Sequence, residues 1–222
     1  MCLCATAVTA MHLRPCHSCH RRVGPAVQQQ LEAFVAAAPD DAPRTAAAVP
    51  GGIMAALRDE GGSPGVRFSR LCVFTHLLAL LPRSRGQEVA AKTLLVRLGE
   101  TQDVGFLYEL YSAMAVHLRH PNPVTSFYLH AFVDVFDVVP DVSKEVLLRV
   151  LAERALTSAP TPFGVSLALG HVCSPAVLNM PFVAKSKFGR VCLCLCLCLY
   201  SSQGASDSPV ERVVGVPASA CL

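Results

Sequence analysis

Apolar residues recur every three or four positions through most of the chain after residue 66, a spacing that places them on one face of a helix. The stretch from Val104 shows this clearly, because Leu107, Tyr111, Met114 and Leu118 continue it. A second stripe comprises Val124, Phe127, Tyr128, Ala131, Phe132, Val135, Phe136 and Val139. The pattern predicts helices over 26–38, 51–60, 66–82, 84–98 and 162–172, with three more that begin near residues 101, 122 and 141.

Residues suited to helix N-caps precede these stripes, namely Ser84, Thr101, Asn122, Asp141 and Thr161. Ser84 and Gln87 have the spacing of a capping box. Pro123 stands at the first helical position, where proline is tolerated. The helix after Asp141 is predicted to bury Val142, Val146, Leu147, Val150 and Leu151 and to expose Lys144, Glu145, Arg149 and Glu153.

Consecutive helices of two to five turns with short connections predict an all-α fold. We expect antiparallel helical hairpins stacked as a HEAT-like α-solenoid over residues 25–186, although no sequence repeat of fixed period is found. Residues 1–24 and 187–222 lack the helical pattern and are predicted to be irregular, cysteine-rich tails.

The composition favours a folded chain. Of its 222 residues 52% are hydrophobic and 16% charged, with a net charge of +3. That charge is too small and scattered to predict a nucleic-acid surface. No segment has the apolar length of a membrane span, and Met1 to Met11 lacks the basic start of a signal peptide. We therefore expect a protein of the cytoplasm, with the nucleus as a second location.

Nine of the eleven cysteines lie near the two ends of the chain. Cys16-His17-Ser18-Cys19-His20 has the spacing of a haem attachment site, and its side chains are also zinc-ligand types, but no second ligand pair follows. Cys192 to Cys198 alternate with leucine, which puts every thiol on one strand face and makes a poor metal cage. We read the alternation as the product of a simple nucleotide repeat and expect neither metal nor cofactor.

Candidate catalytic residues are few. His117, His120 and His130 lie near the Pro-Asn-Pro corner, and Asp134 follows His130 by one helical turn. No nucleophile elbow, phosphate-binding glycine loop or dinucleotide motif occurs. These observations favour a binding or scaffold module over an enzyme.

The run FLYELYSAMAVHLRHPNPVTSFY, 106–128, resembles the carboxy-terminal domain of Not-one, the scaffold subunit of the CCR–Not deadenylase complex. The residues that carry this likeness are Leu118, Arg119, Pro121, Asn122, Thr125 and Phe127 or Tyr128. VLLRVLAERALTSAPTPFGVSLAL, 146–169, resembles the family's leucine-rich helix, then a second proline corner with Pro160, Pro162, Phe163 and Gly164. LNMPFV, 178–183, and the helices from residue 25 continue the order.

Two features depart from the family. Phe163 stands where the family usually has tryptophan, and the chain turns into KFGRVCLCLC where the family continues through another helix.

The resemblance implies a non-catalytic HEAT-like domain that docks the Not-two/Not-three (or Not-five) module, and so supports mRNA deadenylation, decay and translational repression. The corner residues to test for partner binding are Arg119, Asn122, Tyr128, Arg154 and Phe163. Each also has a structural interpretation, such as capping by Asn122 or core filling by Phe163. An unrelated helical-repeat adaptor that binds other peptides, and a truncated non-functional fragment, remain the alternatives.

Overall fold

The structure is a computed structural model that describes residues 25–37, 51–58, 64–100, 103–158 and 161–172. These residues form α-helices and one 3₁₀ turn, with no strand among them, which confirms the all-α prediction. The elements are α1 (Pro25–Ala36), α2 (Gly51–Arg58), α3 (Pro64–Leu80), α4 (Arg85–Gly99), α5 (Val104–Ala115), the 3₁₀ turn (Val116–Leu118), α6 (Pro123–Val138), α7 (Asp141–Thr157) and α8 (Phe163–Val172). Both cysteine-rich tails, with Cys16 to His20 and Cys192 to Cys198, lie outside the described residues.

The capping residues place two helix starts as predicted. The Ser84 hydroxyl accepts a hydrogen bond from the Gln87 amide at 3.4 Å, and the Gln87 side chain accepts one from the Arg83 amide at 2.8 Å. This is a capping box whose return bond reaches one residue before the cap. Asn122 caps α6, and Pro123 is its first residue.

Three details of the sequence prediction are wrong. Asp103 caps α5, with its carboxylate 3.1 Å from the Phe106 amide, and the expected cap Thr101 lies outside the described residues. Asp141 is the first residue of α7 and not its cap, because the Pro140 carbonyl already accepts a helical hydrogen bond from Lys144 at 3.0 Å. Val142, expected in the core, is 52% exposed in the first turn of α7.

The main packing contacts join helices that are two apart in sequence. Helices α3, α5 and α7 form one layer, and α4, α6 and α8 form the other. Arg67 contacts Glu109 and Thr75 contacts His117, both pairs 42 positions apart, so α3 and α5 run in the same direction. At the start of the stack α1 packs against α4, and α2 packs against α3.

Helices α4 and α6 also run in the same direction. The Lys92 ammonium lies 5.9 Å from the centre of the Phe127 ring. One or two turns further along both helices, a Cβ on Gly99 would come within 3.3 Å of a Val135 methyl. The N-termini of α4 and α6 therefore lie at the same edge of their layer.

The core between the layers is apolar, with buried tyrosines that carry hydrogen bonds. Tyr111 and Phe132 have ring centres 6.4 Å apart, and both are fully buried. The Tyr111 hydroxyl and the Ser143 hydroxyl are hydrogen-bonded to each other inside the core. Burial raises the pKa of Tyr111, so the phenol is neutral at neutral pH.

We expect Tyr111→Phe to lower the free energy of unfolding by about 1–3 kcal/mol, because it removes the hydrogen-bond partner of a buried hydroxyl. Ser143→Ala should cost a similar amount. The double variant should cost clearly less than the sum, since neither hydroxyl is then left without a partner. Urea unfolding of the four proteins measures this coupling, and additive costs would contradict it.

Candidate partner-interaction surface

The Pro-Asn-Pro corner between the 3₁₀ turn and α6 is held by Asn122 and Thr125. The Asn122 side-chain oxygen accepts from the Thr125 amide at 2.9 Å, and its amide nitrogen donates to the His120 carbonyl at 3.0 Å. The buried Thr125 hydroxyl lies 2.8 Å from the His117 carbonyl and 2.5 Å from that of His120. Carbonyl groups that a helix end leaves without helical partners are therefore satisfied by side chains.

Helix α8 is pressed against this corner through Gly164. A Cβ at Gly164 would lie 2.8 Å from the Leu118 carbonyl oxygen and 2.9 Å from the Thr125 methyl. Backbone atoms cannot move aside as a flexible side chain can, so only glycine fits. The two proline corners of the sequence are thus parts of one contact. Gly164, which follows the second corner, packs against Leu118 and Thr125 at the first corner.

Tyr128 lies fully buried behind the corner. Its hydroxyl donates a hydrogen bond to the Thr75 carbonyl on α3, and its ring stacks on His117 at 4.8 Å between centres. Phe127 meets it edge-on at 5.1 Å. The burial agrees with the place of Tyr128 on the predicted apolar stripe, and it leaves no surface of this side chain for the direct partner contact that the resemblance implied.

His117 completes the packing between α3 and the corner. Its Nε2 lies 3.1 Å from the Thr75 hydroxyl, which itself donates to the Cys72 carbonyl at 3.1 Å. The hydroxyl proton is therefore used, and Nε2 carries the proton of the imidazole. Burial lowers the pKa of His117 to about 4, and the charge of His76 acts in the same direction. His117 is thus a neutral structural group at neutral pH, whereas His120 and His130 are exposed.

Four of the five predicted contact residues are exposed or partly exposed. Arg119 is exposed beside the corner, and Phe163 is 49% exposed at the first position of α8. The interpretation of Phe163 as a core residue is therefore wrong. Arg154 is half-buried on α7. Burial raises the pKa of the Cys72 thiol, and the charge of Arg154 opposes that rise in part, so Arg154 lies close to α3. Asn122 is exposed, but both ends of its amide are used within the corner.

A groove that the sequence did not predict runs between α4 and α6 and has a volume of about 180 Å³. Its apolar lining residues are Val89, Val96 and Val138, of which Val138 is 61% exposed, and its other lining residues are Lys92, Thr93, Arg97, Glu100 and Asp134. Val89 and Val96 share one face of α4 with Lys92 and Thr93, so the sequence shows that this face carries both apolar and polar side chains. Only the tertiary structure shows that α6 lies beside this face and forms the groove.

Among the described helices, none has the length and apolar character needed to cross a membrane. In the same part of the chain no group of three or more histidine, cysteine or acidic side chains is placed to hold a metal ion.

Two parallel helical layers with a side groove and a rigid proline corner define a helical protein whose accessible features suit binding to another chain. Residues 82–187 match the family model described as "CCR4-Not complex component, Not1". Over this part of the chain the match confirms the predicted resemblance to the Not-one family. No curated protein and no solved structure matches the chain.

The matched region begins at Pro82, after α3, and contains both proline corners and the whole groove. The resemblance over residues 25–81 is not covered by this match and stays a prediction.

Gly164→Ala should lower the free energy of unfolding by about 2–4 kcal/mol, because the added methyl group would push α8 away from the Leu118 backbone. Gly51→Ala is the matched control, since a Cβ there meets nothing within 4 Å. Thermal or urea unfolding measures both. Equal stability of the two variants would contradict the close packing of α8 on the corner.

The stability of the domain should fall in acid because of His117. Its folded pKa of about 4 lies below the ordinary value of 6.5, so the unfolded chain binds the proton more readily. Its contribution is fully present above pH 6.5 and is lost as the pH falls to about 4, by up to about 3 kcal/mol. Urea unfolding of wild type and His117→Gln across this range should show a shallower pH dependence for the variant. His130→Gln, on the exposed face of α6, should leave the dependence unchanged.

Proposed function

We propose that this chain is a non-catalytic scaffold domain of the CCR–Not complex, equivalent to the carboxy-terminal domain of Not-one. It docks the Not-two/Not-three (or Not-five) module and thereby supports mRNA deadenylation, mRNA decay and translational repression. Its place of action is the cytoplasm, with the nucleus as a second location. The observation that carries the proposal is the Not-one family match over residues 82–187, which contains the corner and the groove.

The packing order supports a HEAT-like solenoid as the form of this scaffold. In such a stack each hairpin adds one helix to each layer, and the helices of a layer run in the same direction. The pairs Arg67–Glu109 and Thr75–His117 in one layer follow that order. Lys92 over Phe127 and Gly99 against Val135 follow it in the other.

The groove between α4 and α6 suits an extended or helical peptide. Its valine lining offers room for small apolar side chains, and the charged residues of its rim fix the direction of the guest. Helices that are already packed lose little freedom when a peptide binds, which favours affinity.

The corner supplies the larger contacts. Exposed arginine and aromatic side chains are the commonest residues with large binding contributions. Arg119 and Phe163 are of these types, and Gly164 keeps them close, because it touches the residue that precedes Arg119. Asn122 and Tyr128 contribute by holding the corner in shape, and Arg154 adds a positive charge on α7.

The docking role is tested by co-expression of the full chain with the Not-two/Not-three pair, followed by size-exclusion chromatography. Co-elution in a stable complex is expected. A helical chain that elutes alone would contradict docking. The remaining interpretation would then be a helical-repeat adaptor that binds other peptides. A chain that shows no helical circular dichroism would point to the truncated, non-functional fragment.

Phe163→Ala should weaken binding of this pair roughly tenfold, as expected for an aromatic contact residue. The matched control is Val142→Ala, which removes a side chain of similar exposure, 52% against 49%, at the start of α7. Calorimetric titration of both variants measures the difference. Equal affinities would place the binding surface elsewhere than the corner.

A further inference from the structure

Three helices, α4, α6 and α8, start at one edge of the domain. Helices α4 and α6 start at the same level, as the contacts Lys92–Phe127 and Gly99–Val135 show. Helix α3 reaches this level near its end, where Thr75 meets His117. Helix α8 starts here too, because Gly164 touches Leu118. The first residues of α4, α6 and α8 therefore lie at the same edge.

Among the described residues, this edge carries three arginines without a paired carboxylate. Arg83 and Arg85 flank the start of α4, and Arg119 stands before α6. All three are exposed, and none forms an ion pair with a described residue. The nearest carboxylate in sequence, Glu88, is already held by Lys92 at 2.6 Å.

The opposite edge carries charges of both signs. Glu100, Asp103, Asp137 and Asp141 are exposed there, but Glu100 pairs with Arg97 at 3.1 Å and Asp141 lies 3.9 Å from Lys144. Helices begin and end at both edges, so their dipoles largely cancel and the side chains decide the field. The first edge is therefore set apart by exposed arginines that make no ion pair with a described residue.

Apolar side chains are exposed at the same edge as these arginines. Phe163 is 49% exposed and adjoins Gly164, and Leu80 is 41% exposed at the end of α3. A phosphate backbone would use the arginines alone, whereas a peptide with acidic and apolar side chains would use both kinds of residue.

We propose that the edge formed by Arg83, Arg85, Arg119, His120 and Phe163, here called the basic edge, binds an acidic peptide segment that carries an apolar anchor. The arginines pair with Asp or Glu side chains of the segment, and Phe163 receives the anchor. This rests on the proposed docking function and adds to it the chemistry of the segment that a partner brings to the corner.

The test uses the full chain and a fluorescent synthetic peptide of about twelve residues, in which Asp and Glu flank a central Leu-Phe pair. Fluorescence anisotropy measures its affinity at roughly 50 mM and 300 mM salt, because exposed charge pairs weaken as salt screens them. We expect binding that falls with salt and is absent for a peptide with Asn and Gln in place of the acids.

The double variant Arg85→Gln/Arg119→Gln should lose about tenfold in affinity, the sum of two exposed charge pairs near the upper end of their range. The control is Val104→Glu/Val142→Glu, which changes the net charge by the same amount at the opposite edge. Both valines are about half exposed in first helical turns, where a negative charge is tolerated. The control should bind the peptide as the wild type does.

Equal loss in both double variants would show that net charge alone drives binding and would overturn the proposal. So would absence of acidic-peptide binding by a helical wild-type chain. An oligouridine probe that binds more tightly than the peptide, through the same two arginines, would also overturn it and assign the edge to nucleic acid.

The same variants separate this inference from the docking function. If wild type and Arg85→Gln/Arg119→Gln co-elute equally with the Not-two/Not-three pair, docking stands and the basic edge is not part of it. If neither co-elutes while the peptide still binds the wild type, the edge stands and the proposed partner is wrong.

Discussion

The hydrogen bonds of Thr125 hold together the part of the domain on which the accessible surface depends. After α5 the chain must leave the helix, and its last carbonyl groups need donors in a place that α8 shields from water. The single hydroxyl proton of Thr125, in the first turn of the following helix, is shared between two of them, those of His117 and His120, and the Asn122 amide also donates to His120. The methyl group of Thr125 at the same time forms part of the surface on which Gly164 rests. Thr125 therefore binds the carbonyl groups that follow α5, lies in the first turn of α6 and packs against α8.

The interior behind this corner combines apolar packing with a few polar groups that are paired. Tyr128 reaches the Thr75 carbonyl, Thr75 meets His117, and Tyr111 meets Ser143. Among the described residues no buried side-chain nitrogen or oxygen lacks a hydrogen-bond partner. Such pairs add little net stability, but a helix that slides along its neighbour would break them, so they specify the register of the layers.

Interior and surface residues have separate roles at this histidine-rich corner. His117 is withdrawn into the packing, and its burial keeps it neutral at neutral pH. The exposed residues Arg119 and Phe163 are an arginine and an aromatic residue, which are the kinds that contribute most to binding a peptide. The rigid corner holds these side chains in place, and the α4–α6 groove lies along the same two helices whose N-termini form the basic edge.

Sequence periodicity alone was enough for the helices, and local chemistry was enough for several of their ends. The stripe from Phe127 to Val139 is buried as predicted, and Ser84 and Asn122 cap as predicted, because these features depend on neighbours within a few residues. The resemblance to the Not-one family could also be read from the ordered proline corners, since the match covers both.

Which side of a helix meets a partner helix depends on residues far away in sequence, and here the prediction failed at individual positions. Tyr128 looked like a contact residue and is buried under α3, while Phe163 and Val142 face water. The groove needs α4 and α6 side by side, and the basic edge needs the starts of α4, α6 and α8 at one level. Periodicity within a helix determines that it has an apolar face, but only the packing of distant helices determines how much of that face is covered and which charges gather beside it.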